Sequence, residues 1–210
     1  LKRWYDGYNL KGLEIYSPKS VINAIEEGVC DDYWSQTSSY EALKDNILMD
    51  FNGIKSDVIR MVSGESISVN VSKFTNSRVL NSKDDVFTAL IHLGYLGYRY
   101  SEQTCFIPNY ELMKEWINVL EDTPDYEGVA ELIRESKRLL EATWKGDEEI
   151  VAEAVARAHT EACSIQRYNN EGSFQSALHL AYYYAKSCYT IVNELPGGKG
   201  FADVAFIPYK

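Results

Sequence analysis

The sequence predicts an α+β fold that is mostly α-helical. Three observations carry this. Apolar residues return every three or four positions through most of the 210 residues, the period of a helix with one buried face. A few short stretches switch to a period of two, or to apolar runs beside glycine-rich turns, as strands do. Hydrophobic residues make up 45% and charged residues 25%, ordinary proportions for a packed core, and the length allows one large domain or two small ones.

Ser17-Pro18 opens the first clear helix. Serine can accept from the free N–H groups, proline suits the first turn, and Val21, Ile22 and Ile25 follow before Gly28 ends it. A second helix is expected over 39–49 and a third over 54–62, stopped by Gly64. Ile67, Val69 and Val71 alternate with Ser68, Asn70 and Ser72, which predicts a half-exposed strand. Asp84 or Asp85 can open the next helix, which carries Val86, Phe87, Leu90, Ile91 and Leu93. Residues 95–100 and 104–107 predict a hairpin. The helix after Pro108 turns Leu112, Met113, Trp116, Ile117 and Leu120 to one side. Helices, a hairpin and a further helix make a winged-helix-like segment.

Two longer helices come next, one through Val129, Leu132, Ile133, Ser136, Leu139 and Leu140, the other through Ile150, Val151, Ala154, Val155 and Ala158. Gly146-Asp147 can stop the first and cap the second. The pair is a helical hairpin. The character changes at Asn169-Asn170-Glu171-Gly172. A helix over 173–186 is apolar on most sides, as expected of one packed under a sheet. Strands over 189–192 and 201–207 then flank a Pro-Gly-Gly-Lys-Gly turn. These readings divide the chain into 1–125, the helical hairpin 126–165, and 166–210.

The net charge is −10. Residues 111–161 hold 14 acidic and 6 basic side chains, read as a solvated helical surface that disfavours phosphate backbones. Cys30, Cys105, Cys163 and Cys188 form no CxxC pair, which points to a reduced, cytoplasmic chain. No run is apolar enough for a membrane span, and residues 1–6 do not resemble a signal peptide. The missing initial Met suggests further sequence upstream, and a stop directly after a strand suggests more downstream.

Chemistry concentrates at the end. Asp203 opens the last strand beside the glycine-rich turn. A carboxylate there can hold a divalent cation such as Mg²⁺, which prefers oxygen ligands; it can equally serve only to terminate a turn. The segment NELPGGKGFADVAFIP (193–208) is very similar to the nuclease-like domain at the C-terminus of AAA-ATPase-like proteins of gut bacteria. LKRWYDGYNL, IYSPKSVINAI, YWSQTSSYEAL, LGYLGYRY and FIPNYELMKEW resemble the segments that precede it in that family. The resemblance implies a partial α/β PD-(D/E)XK nuclease-like core over 166–210, after an ATPase-like, winged-helix-like region. It implies Asp203 as a catalytic metal ligand, with Glu171, just before the core helix, as its partner and Glu194 as the weaker alternative. It further implies Mg²⁺ or Mn²⁺ as cofactor and nucleic acid as substrate, both of the intact parent only.

Half of that chemistry is absent from these residues. No (D/E)-x-K follows Asp203, and no G-x-x-x-x-G-K-[ST] occurs anywhere. Lys199 is followed by glycine and an expected strand, so it reads as a turn lysine. The expectation is an inactive fragment of a metal-dependent phosphodiesterase. The alternative is a protein-interaction module with a degenerate nuclease-like part. A dimer through the strand edge at 201–207 is expected. His159 and Cys163 lie one helical turn apart with no further ligands and read as packing residues. His92 reads as a buried, hydrogen-bonded histidine, and Cys105 and Cys188 as core residues. Trp4, Tyr5 and Tyr8 read as a cluster packed against an absent ATPase core.

Overall fold

The computed structural model describes residues 1–10, 12–34, 40–49, 51, 53–73, 80–166, 171–198 and 200–209, without the side chains of 40, 73, 162–166 and 171–173. The fold is α+β and mostly helical. It divides into two compact units, Leu1–Thr123 and Pro124–Lys210.

In the first unit a short helix α1 (Lys2–Tyr5) leads into a small hairpin, β1 (Tyr8–Leu10) and β2 (Leu13–Ile15). Helix α2 (Pro18–Glu27) comes next, with Pro18 in its first turn and Gly28 in the left-handed region at its end. Ser17 stands at the N-cap but caps nothing with its side chain; its hydroxyl lies 2.9 Å from that of Ser20 instead. Then come α3 (Tyr40–Ile47), α4 (Ile54–Ser63), β3 (Ile67–Ser68), α5 (Lys83–His92), β4 (Gly97–Arg99), β5 (Thr104–Phe106) and α6 (Tyr110–Glu121). The strand expected over 67–72 keeps its burial alternation, with Ile67 and Val69 inside, but leaves the sheet after Ser68 for a 3₁₀ turn at Val71–Lys73. Ser82, not Asp84 or Asp85, caps α5, accepting from the Asp85 N–H at 3.2 Å. The sheet order is β3-β5-β4, all antiparallel.

The core of this unit is built on Val58, Ile59, Phe87, Leu90, Leu112 and Trp116, each fully buried. Cys105 is at 0% exposure, and burial pushes its thiol up to about 12, so it is an inert core group. His92 is exposed, contrary to expectation, because it falls in the last turn of α5 on the side away from Leu90. The N-terminal aromatics pack within this unit. Tyr5 is fully buried, donating to Asp31 O at 2.8 Å; Trp4 meets Tyr110 edge-on at 4.8 Å, and Tyr8 donates to Gly94 O.

The second unit holds α7 (Glu127–Lys145), α8 (Glu148–Gln166), α9 (Glu171–Ala181), a 3₁₀ turn at Tyr183–Ser187, and the hairpin β6 (Tyr189–Pro196) with β7 (Phe201–Pro208). Gly146 ends α7 in the left-handed region, and Asp147 accepts from the Ile150 N–H at 3.2 Å to start α8. The helical hairpin shares one core with α9 and the terminal strands: Leu139 and Leu140 of α7 and Ala158 of α8 join Ala177 and Ala181 of α9, with Phe206 of β7 packed against them. Cys188, expected inside, is exposed in the turn before β6, where the chain leaves the helical layer. No helix among the described residues is long and apolar enough to cross a membrane.

Candidate functional site

Asp203 lies on β7 and is exposed. The hairpin register runs from Asn193↔Val204 to Leu195↔Ala202, which puts Glu194 at the position across from Asp203, although the two are not themselves a ladder pair. Glu194 has φ 53. A left-handed backbone at a non-glycine residue inside a strand is uncommon and marks the place as locally constrained. Beside it, His179 Nε2 of α9 sits 2.8 Å from Asn193 Oδ1. Glu171 begins α9; its side chain lies outside the described set. Asp203 and Glu194 offer the hard oxygen donors that Mg²⁺ or Mn²⁺ takes. Among the described residues no group of three or more His, Cys, Asp and Glu could hold a metal ion.

The glycine-rich turn closes this hairpin, with the Gly197 N–H donating to Gly200 O at 2.7 Å and β7 starting directly after it. Lys199 itself, like the Cys163 side chain, falls outside the described residues. His159 meets the Phe174 ring edge-on at 5.6 Å, a packing contact.

A second cluster was not foreseen. Glu111 and Glu115, placed by the sequence on a solvated acidic surface, are 0% and 1% exposed. They stand one turn apart on α6, in the i±4 row that continues to the core residue Val119, while Leu112, Trp116 and Leu120 form the adjacent row. Glu111 is well satisfied. Its Oε1 accepts from the Tyr33 N–H at 2.9 Å and the Trp34 N–H at 3.0 Å, and its Oε2 accepts from the Ser20 hydroxyl at 2.9 Å. One carboxylate thus ties α2, the segment after it and α6 together. Burial raises its pKa, opposed by these hydrogen bonds.

Glu115 is the contrary case. Neither of its oxygens has a hydrogen-bond partner among the described residues. Burial, with Asp32 and Glu111 adding repulsion, pushes its carboxyl up to about 7. A protonated carboxyl near neutrality is a property of general acids and bases. Here both oxygens are shut away from solvent, so protonation acts on the packing of α6 rather than on a substrate. The sequence carries one signal for the pair: both glutamates share the i±4 row of the apolar Val119.

Compared with known proteins, the chain matches no family model, no curated protein and no solved structure.

Proposed function

We propose that these residues belong to an ATPase-like protein fused to a metal-dependent nuclease-like domain, and that they have no catalytic activity alone. The reading rests on the succession α9, β6, glycine turn, β7, with Asp203 exposed on the last strand. That is the order in which the resemblance expects a PD-(D/E)XK core to begin. The sheet order β3-β5-β4, between helices, supports the winged-helix-like reading of the first unit. In the intact cytoplasmic parent, Asp203 and Glu171 would hold Mg²⁺ or Mn²⁺, which would stabilise charge at the phosphate. A lysine absent from these residues would position the water. The test is the reading frame on both sides. A phosphate-binding loop upstream and an acid-x-lysine on the strand after β7 are expected, and a frame lacking both removes the proposal.

A second reading, a protein-interaction module with a degenerate nuclease-like part, is favoured by the net charge of −10, which suits a protein surface better than a phosphate backbone. Loss of the acid-x-lysine with the fold retained would select it.

A further inference from the structure

In the first unit, the β1–β2 hairpin and the β4–β5 hairpin border an open groove of about 680 Å³, within the range of roughly 300–1,000 Å³ usual for small-ligand sites. Its floor is fixed. The Phe106 ring lies so close to Gly97 that a Cβ there would come within 2.8 Å of its Cζ. The Arg99 guanidinium covers the same ring, 3.8 Å from its centroid, and its Nη1 donates to the Ser66 hydroxyl at 2.6 Å. One wall is aromatic: Tyr98 and Tyr100 meet edge-on at 5.0 Å, and the Tyr98 hydroxyl donates to Val69 O at 3.3 Å. Asn9, Leu10 and Gly12 form the other side.

Two features select an occupant. Arg99 is the one charged side chain among the described lining residues, and it forms no ion pair with any described residue, in a chain of net charge −10. The guanidinium lies over the Phe106 ring and gives one N–H to Ser66; with five N–H donors in all, it has others to offer a carboxylate. The surface around it is apolar and open, with Tyr100 73%, Leu10 53% and Leu13 69% exposed. A polyanion meets a single cation among the described lining residues, in a chain of net charge −10, and is disfavoured. We propose that this groove binds a peptide segment presenting an apolar side chain beside a single carboxylate, with Arg99 taking the carboxylate and Tyr98, Tyr100 and Leu10 the side chain. None of these residues lies in the nuclease-like part, so the inference stands or falls separately from the reading above.

The experiment is an amide-shift NMR titration of the whole 210-residue chain. The probes are a hexapeptide, acetyl-Gly-Ser-Gly-Ser-Leu-Phe with a free C-terminal carboxylate, its C-terminal amide, and a ten-nucleotide oligo(dT). Shifts are expected at residues 9–10, 98–101 and 106, with the acid binding about tenfold tighter than the amide, the scale of one charge-assisted contact. Arg99→Gln, an exposed change, is expected to bring the acid down to the level of the amide and leave the amide unaffected. Tyr100→Ala is expected to weaken both. Equal binding of acid and amide, shifts centred elsewhere, or an acid preference that survives Arg99→Gln would overturn the proposal. So would oligo(dT) binding more tightly than the peptide, which would make the hairpin a nucleic-acid contact.

Discussion

Replacing Glu115 by glutamine is expected to make the protein more stable, and only above mildly acidic pH. The carboxyl titrates at about 7 in the folded chain against an ordinary 4.5. At about 1.4 kcal/mol per pH unit, the gap corresponds to about 3 kcal/mol. The sign comes from proton counting. Between pH 4.5 and 7 the folded state holds the proton and the unfolded state has released it, so stability is lost as pH rises across that window and the full penalty stands above it. Glutamine has the same shape and never ionises. Its buried amide is no better bonded than the protonated acid, so the two should be nearly equal at about pH 5. At about pH 8 the variant should be more stable by about 3 kcal/mol. Urea denaturation at pH 5, 6, 7 and 8, followed by tryptophan fluorescence, reads this directly, since Trp116 is fully buried on the same helix. A difference between variant and wild type that does not change with pH, or that grows toward acid, would refute the reasoning.

Glu111→Ala is expected to cost about 3 kcal/mol or more at every pH between 5 and 8, because the Tyr33 and Trp34 N–H groups and the Ser20 hydroxyl lose one shared acceptor; the same denaturation series measures it. Gly7→Ala is expected to cost at least about 3 kcal/mol and to lower the melting temperature of the first unit by about 10 °C or more. Gly7 sits at φ 112, and an added Cβ would fall on the Pro108 carbonyl; calorimetry decides it. The outer edge of β7 has no neighbouring strand among the described residues and exposes Phe201 and Ile207 at 72% and 42%, so the chain is expected to self-associate there. Sedimentation at several concentrations, with Val204→Lys as control, checks this; a monomer throughout, or a lysine variant that associates equally, counts against it.

Much of the fold was legible because its helices obey local rules. Gly28, Gly64 and Gly146 each end a helix where the sequence placed the stop, and the strand–turn–strand pattern over 95–107 and 189–207 became the hairpins it predicts. The misses are tertiary. Ile67 to Val71 alternates like a strand, but the ladder with β5 holds only Ile67 and Ser68, followed by one bond from the Val69 N–H to Gln103 O at 3.0 Å, and alternation alone does not state where pairing stops. Trp4 meets Tyr110 of α6, Tyr5 donates to Asp31 O and Tyr8 to Gly94 O, all within their own unit, which no local pattern foretells. Glu111 and Glu115 were counted with the acidic surface because charge is assumed to face water; two backbone N–H groups and a serine from distant parts of the chain are what bring Glu111 inside. At the C-terminal hairpin the sequence named Asp203 and Glu171, with Glu194 as the weaker alternative; the register sets Glu194 across from Asp203, and the Glu171 side chain lies outside the described residues.

The proposed function is tested most directly by plasmid cleavage with Mg²⁺ or Mn²⁺, run on these 210 residues and on the product of the full reading frame, each with Asp203→Ala beside it. The shorter chain is expected to leave the plasmid intact. The full product is expected to cut it and to lose the activity with Asp203→Ala. Metal-dependent cleavage by the shorter chain that disappears with Asp203→Ala would contradict the account, as would cleavage by the full product that Asp203→Ala leaves unchanged.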